Sequence, residues 1–513
     1  MTRRALLLVL AVSLVLVPAA TAATPPAPPP GAAISDSLEY RGRVPGGGVV
    51  EGKFDQVAGR PVMIVTGTFG FRVYDVRDPD APKLLDTFMP PEILGAQGYW
   101  QDEDMDVDVR RKLIIGALDP RHDDVDQTSC PGIGQLGAKN RNPACNSGFY
   151  VISYADPANL RQVGGFVELP AGHTASCIES CDWVWTGGPA RRDDLASLGP
   201  FTPGGRGDGR PIWVTDLRDP LHPVVHPDPI DLGRNDGLTD YSHDVQVDDQ
   251  GIAWVSGRGG ILGYATRGRL RDPRTGQVRR ATPLAPVLVA GGGVGGTNQP
   301  VMFMHNSARP LDGSVRAKGV RRGNVLVGTE EDFTEPCAAS GRIVLSDITD
   351  SIGGAPAAAS TPERPYRMTP LDTFHPAQDT PETTGPSTEC SAHYFEVSGP
   401  TLAAAWYGQG VRLVDISDAR NVRQIGFFRV TGDGSADNPS SLSWDVGWHA
   451  GRLYLFDMDR GIEILRMRGG ARGATALPTV TAPSVGEDRF APQPVATAGD
   501  LKLVCPVFAP RRS

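Results

Sequence analysis

A hydrophobic run that ends in Asp and leads into a second Asp or an Asp-Pro turn recurs through this chain. It reads Val73-Tyr74-Asp75-Val76-Arg77-Asp78-Pro79, then Ser153-Tyr154-Ala155-Asp156-Pro157. It returns as Asp216-Leu217-Arg218-Asp219-Pro220, Asp347-Ile348-Thr349-Asp350 and Asp415-Ile416-Ser417-Asp418. A self-similar unit at near-regular spacing constrains architecture before any local argument does. The repeated Asp residues read as turn formers, because an Asp carboxylate accepts from the backbone two residues on.

Between these turns lie short β-branched and aromatic runs. The cleanest unit is His393-Tyr394-Phe395-Glu396-Val397, then Thr401 to Trp406, Gly410 to Ile416 and Val422 to Val430: four strands in succession. Seven units open near Lys53, Glu103, His173, His243, His305, His393 and Trp444. The last supplies only three strands, Asp445 to Trp448, Arg452 to Asp457 and Gly461 to Met467. Its fourth is expected from Ser37 to Val44, since closing the ring with the opposite chain end protects an open edge. The expected fold is therefore all-β, a seven-bladed β-propeller of four-stranded blades closed by an N-terminal strand. A solenoid of the same strands is the architectural alternative.

Composition agrees. Of 513 residues, 62 are Gly and 46 are Pro, and only 21% are charged, which suits many strands joined by tight turns. The net charge is −9 without a basic stripe, which argues against a nucleic-acid partner. Residues 1–23 read as a signal peptide: Arg3 and Arg4, an apolar run from Ala5 to Val17, and Ala20-Thr21-Ala22 as the cleavage site. The apolar run is too short to span a bilayer comfortably, so no transmembrane segment is expected. Residues 24–36 read as a Pro/Ala-rich linker, 37–468 as the propeller, and 469–513 as a loosely packed tail. The protein is expected to be secreted, with a cell-wall association left open.

The repeats resemble those of LVIVD-repeat proteins, on the strength of Val411-Arg412-Leu413-Val414-Asp415-Ile416-Ser417-Asp418 and its weaker copies. The resemblance covers roughly Ser37 to Met467 and implies a β-propeller; the unit at Leu262-Gly263-Tyr264 departs from it, lacking the Asp. It implies no single activity, because propellers host many.

Aligning the units puts His173, His243, His305 and His393 at one equivalent place, with Glu103 and Trp444 at that place in two others. First strands line the channel of a propeller, so these residues form a ring at one height. Four imidazoles and a carboxylate suit a transition metal such as copper, zinc or iron, and Glu103 or Glu331 would serve as general base. The alternative is that each His bonds within its own blade, His243 with Asp244 and His393 with Ser391.

Three insertions, Leu118 to Gly148, Gly188 to Arg210 and Glu331 to Ser340, fall between second and third strands. They leave the face where the His ring begins. A ligand-binding mouth is expected there from Glu103, His122, Glu330, Glu331, Asp332 and Trp444, for an extracellular ligand, polymer or protein. The acidic runs Asp102 to Asp108 and Glu330 to Asp332 otherwise read as solvated loops. His222, His226 and His449 fall in turns away from the ring, and Gly291 to Gly296 reads as an inter-blade loop.

The seven cysteines suit disulfides in an exported chain. Cys130 with Cys145, Cys177 with Cys181, and Cys337 with Cys390 are the candidate pairs, with Cys505 left over. No nucleophile elbow, phosphate loop or zinc-protease helix is present. Two functions follow: a secreted binding module acting at the mouth, or a metal-dependent, oxidoreductase-like enzyme using the His ring. Selenium-binding and methanethiol-oxidising propellers are a distant parallel of arrangement only.

Overall fold

In a computed structural model the described residues form seven antiparallel sheets of four or five strands and one additional two-stranded hairpin. The structure describes residues 25–90, 103–118, 148–169, 172–188, 211–227, 229–231, 242–257, 260–272, 275–292, 304–331, 341–349, 352, 368–376 and 390–469. No helix occurs among them. The first blade shows the pattern: Val49–Val57, Arg60–Gly67, Gly70–Asp75 and Lys83–Phe88 pair in chain order. The inner strands of the other blades begin at Met105, Thr174, Ser242, Met304, Phe395 and Ser443.

Closure is decided by the cores. Among the described residues a hydrophobic cluster fills each of the seven boundaries between neighbouring blades, including one between blades seven and one built from Tyr454, Phe456, Ile462 and Ile464 against Val49, Met63 and Val65. A solenoid of seven units would lack that last cluster, so the ring is closed. Fully buried tryptophans sit in these interfaces, such as Trp213 between blades two and three and Trp406 between blades five and six. Truncating one to Ala would cost about 3–5 kcal/mol.

The seventh blade is completed as expected by Leu38–Val44, which pairs with Gly461–Met467. The hydroxyl of Tyr40 on this strand donates to Glu463 at 2.9 Å. The segment just before it is not all linker: Ala32–Ile34 pairs with the outer strand Arg423–Val430 as a fifth strand of blade six. The fourth blade also differs from expectation. A hairpin of Arg269–Arg271 and Val278–Arg280 precedes its outer strand Val287–Gly292, so Gly291 and Gly292 belong to a strand rather than to a loop.

The repeated Asp residues are turn formers. The amides of Arg77, Arg218, Thr349 and Ser417 donate to the carboxylates of Asp75, Asp216, Asp347 and Asp415 at 2.8–3.1 Å. In blade two Ser153 substitutes, its Oγ accepting from the amide of Ala155 at 3.4 Å. Each bond holds the corner between a third and a fourth strand, which keeps the blades in one register.

Candidate functional site

The start of each inner strand faces the channel axis. There the structure brings together His173, His243, His305, His393, Glu103 and Trp444, all with no exposed surface. Adjacent imidazole centroids are 4.6 Å apart for His173 and His243, 4.0 Å for His243 and His305, and 3.9 Å for His305 and His393. The rings turn toward one another rather than into their own blades. Asp244 accepts from the side chain of Gln246 at 3.1 Å instead of holding His243.

Backbone carbonyls fix the tautomers. His243 Nδ1 donates to the carbonyl of His305 at 2.8 Å, and His393 Nδ1 to that of Trp444 at 2.5 Å. A carbonyl can only accept, so Nδ1 carries a proton in both rings, and in neutral His243 Nε2 is left to accept. His173 Nε2 then donates to His243 Nε2 at 2.8 Å. Gly188 makes room for this pair: at φ +137°, an added Cβ would stand 2.6 Å from that of His173.

Glu103 sits among these groups. Its Oε1 accepts from Trp444 Nε1 at 3.2 Å and lies 2.7 Å from His393 Nε2 and 3.5 Å from His305 Nε2. Burial would raise its pKa, but the charge of neighbouring His393, together with nearby His305, holds it well below the carboxylate range. Burial, then the charge of neighbouring histidines, pushes His243 and His305 well below the usual imidazole value. His243 and His305 are therefore held neutral beside one anion, the protonation state a metal ion requires of an imidazole ligand. His305 has no hydrogen bond on either ring nitrogen.

Glu331 joins from blade five. Together His305, Glu331 and His393 form one set of converging ligand atoms within 4.8 Å, and Glu103, His243 and His305 form another. The hydroxyl of Tyr407 donates to Glu331 Oε1. Tyr407 is buried and held at φ 35°, in the left-handed region that non-glycine residues rarely adopt. The second strand of blade six, Thr401–Ala405, ends two residues before it, yet nothing in the repeat marks Tyr407 itself.

Both acidic runs depart from the solvated reading. Glu103, Asp104, Asp108, Glu330 and Glu331 are all buried. Glu330 is taken up by Arg342, whose Nε donates at 2.8 Å, so it ties two strands of blade five rather than lining a mouth.

One residue further along the inner strands lies a second layer: Glu51, Asp104, Asp244 and Asp445, with Tyr394 and Asn306 at the matching places. Alternation would turn these side chains away from the axis. The ladders slip at this point in four blades, between Val49 and Glu51, Ser242 and Val245, Met304 and Ser307, and Ser443 and Asp445. Such bulges re-aim side chains, and here they place consecutive residues on one side. Lys53 Nζ lies 2.5 Å from Glu51 Oε1. Burial disfavours its ammonium, but Glu51, Asp104, Asp445 and Asp106 hold its pKa well above the usual lysine value. Burial raises the carboxyls in turn, Asp244 to about 7, Asp104 and Asp445 well above the usual value.

Beyond this layer the channel opens into a cavity of about 830 Å³ lined by Lys53, Asp445, Tyr394, Trp254, Arg309 and Trp448 among others. It lies where the inner strands end, at Val247, Val397 and Trp448. The insertions do fall between second and third strands, at 119–147, 189–210 and 332–340. His122, Asp332, Cys130, Cys145, Cys337 and Cys505 lie outside the described residues. Cys177 and Cys181 form a disulfide, and Cys390 is disulfide-bonded as well. His222 pairs with exposed Asp219, His226 packs on Trp183 and His449 stacks on Phe54, all away from the axis.

The site and frame define a seven-bladed β-propeller with a buried histidine centre in its channel. The extracellular domain of a hybrid two-component system from B. thetaiotaomicron is similar over 83% of this chain, at 11% identity and a TM-score of 0.44. A second structure of that domain, described as from a one-component system, gives 84%, 10% and 0.45. The chain spans only 39% and 40% of the length of those two. A β-propeller domain from Myceliophteria thermophila is matched over 83% of this chain and 99% of its own, at 11% identity and a TM-score of 0.41. No protein-family model and no curated protein sequence matches the chain. The fold assignment therefore rests on the seven sheets and their shared cores. No helix among the described residues is long and apolar enough to cross a membrane.

Proposed function

We propose that this is an exported metal-binding β-propeller, holding a transition-metal ion on the channel axis through His243, His305 and Glu103, with His173 and His393 within reach. One observation carries the reading. His305 is fully buried with two ring nitrogens lacking hydrogen bonds. A buried polar atom without a partner costs about 1–3 kcal/mol, and a metal ion is the partner that the surrounding lone pairs fit. The second requirement of a metal ligand, a fixed orientation, is met at His243 and His393 by their carbonyl bonds.

A nitrogen-rich set with one carboxylate suits copper, zinc or iron. An ion with an open position would polarise bound water or dioxygen. Glu103 fits a ligand better than a base, since its charge is already committed to the imidazoles. Glu331, with Tyr407 on it, is the better-placed base in a one-ion centre. Export is supported by the signal-like residues 1–23 and by the disulfide. The second reading, a binding module for an extracellular ligand or polymer, is favoured by three long insertions, each between the second and third strands of its blade in sequence.

Elemental analysis of purified mature protein separates them. The expected result is about one equivalent or more of metal in the wild type, lost in His243→Ala/His305→Ala. Less than about a tenth of an equivalent in the wild type overturns the metal reading and leaves the mouth as the functional region.

A further inference from the structure

We infer that the cavity at the end of the channel binds a neutral saccharide, through a third ring of side chains that the repeat places three residues beyond the histidine layer. The inference goes beyond the metal-binding reading and does not rest on it. Three residues on from Glu103, His173, His243 and His393 stand Asp106, Ser176, Gln246 and Glu396, and the same count from Val50 gives Lys53. His305 and Trp444 lead to Ala308 and Gly447, so two of the seven places carry no polar side chain. Alternation puts this position on the same side of the strand as the acid layer two residues before it. The contacts agree: Lys53 Nζ lies 2.5 Å from Glu51 Oε1, Gln246 Nε2 donates to Asp244 at 3.1 Å, and Ser176 Oγ donates to Asp104 at 3.4 Å. Lys53, Asp106, Gln246 and Glu396 all line the cavity of about 830 Å³, which falls inside the roughly 300–1,000 Å³ of small-molecule sites.

The chemistry of the ring selects the ligand. Lys53 would meet a second cation with like charge, and Asp106 and Glu396 would do the same to an anion. A neutral molecule that both donates and accepts at several points suits all of them, because the ammonium donates, the carboxylates accept and the Gln246 amide does both. The acids are held before a ligand arrives: Asp106 accepts from the amide of Cys177 at 2.7 Å, and Glu396 from that of Trp448 at 2.6 Å. Arg309 and Asp248, also in the wall, are paired with each other at 3.0 Å. Apolar side chains stand around the polar ring, among them Phe54, Val107, Val247, Val397 and Trp448. Polar groups for hydroxyls beside aromatic and aliphatic surface for carbon–hydrogen faces match the two kinds of surface of a pyranose.

The test uses the full mature chain, with isothermal titration and tryptophan fluorescence against neutral di- and trisaccharides of gluco, galacto and manno configuration. Spermidine and citrate are the charged controls. At least one neutral saccharide should bind once per chain and shift the emission, since Trp448 lines the cavity. Glu396→Gln and Gln246→Ala should each weaken it about tenfold. Glu396 is exposed, so its replacement leaves the blade folded, and circular dichroism checks this for both variants. Binding should survive removal of metal by a chelator, because the acid layer stands between this ring and the histidines. No binding by any of the saccharides overturns the inference and leaves the metal reading standing. Binding of spermidine or citrate in their place overturns the ligand class. Saccharide binding that neither substitution weakens lies elsewhere on the chain and overturns the site. Loss of binding together with the metal would make the saccharide a ligand of the histidine centre and overturn the separate ring.

Discussion

Two layers of side chains fill the same channel, one residue apart in sequence, and they have opposite chemistry. The upper layer gathers His173, His243, His305 and His393 around Glu103, with the imidazoles of His243 and His305 kept neutral by burial. The lower layer gathers Glu51, Asp104, Asp244 and Asp445 around Lys53, and burial there resists the ionisation of the acids. Both layers are buried in the same low-dielectric shaft, so the difference lies in what each lacks. In the upper layer the ring nitrogens of His305 meet no hydrogen-bond partner. The lower layer has a cation, but only one, for four carboxyls. An arrangement of the first kind invites an ion; one of the second kind stores protons or strain. The upper layer is thus where binding is expected, and the lower layer is where stability is most sensitive to charge.

The largest test of that contrast is His305→Phe. It keeps a ring and removes both unpartnered nitrogens. Metal affinity should fall at least about a hundredfold while the urea midpoint holds or rises, because the buried nitrogens vanish with the ligand. If metal is retained, the upper layer is not the centre. Next is Lys53→Met, which leaves the lower carboxyls without their cation. A fully buried pair broken this way costs about 3–5 kcal/mol; with 37% of the Lys53 side chain exposed, about 2 kcal/mol is expected. Metal content should not change. A stability effect without metal loss would separate the two layers, and equal loss of both would merge them.

Acidity acts on the lower layer as well. Burial raises Asp445 and Glu51, and it lifts Asp457 in the same blade as Asp445 to about 7. A carboxyl raised in the fold holds its proton where the unfolded chain has lost it. Its contribution is complete below the unfolded value near 4 and is lost as pH rises through the folded value. The urea midpoint of the wild type should therefore fall from about pH 4 to about pH 7. A flat profile would mean that these carboxyls are ionised and compensated in the fold. The smallest effect is expected from Tyr40→Phe, which removes a hydrogen bond to buried Glu463 far from both layers: about 1 kcal/mol, seen in the midpoint alone.

The upper layer was legible because the Asp turns number the blades, and numbering the blades aligns His173, His243, His305 and His393. The ring closure by Leu38–Val44 was legible for a similar reason, since the last blade is one strand short. The lower layer was not. Val50-Glu51, Glu103-Asp104, His243-Asp244 and Trp444-Asp445 are visible as repeated pairs, but simple alternation sends the second member of each pair away from the axis. In three of these pairs a slipped ladder brings both inside, and in blade two the pair precedes the ladder; neither leaves a mark in residue type. Tyr407 was missed because its role depends on a positive φ in a turn that reads like any other Gly-rich corner. The acidic stretch at Glu330 and Glu331 shows the opposite error: adjacent acids look solvated, yet Arg342 takes one inward and Tyr407 the other.

The strand that completes blade seven comes from the start of the chain, and Tyr40 meets a residue 423 positions away. A chain delivered N-terminus first thus holds its closing piece in waiting from the outset. The ring cannot shut until its final hairpin has arrived, so the first strand made is the last to find its place. Contacts of such span slow folding. They also make the finished ring all-or-none: a chain cut short before Gly461 would carry six whole blades, every residue of the histidine layer, and no lock to hold them.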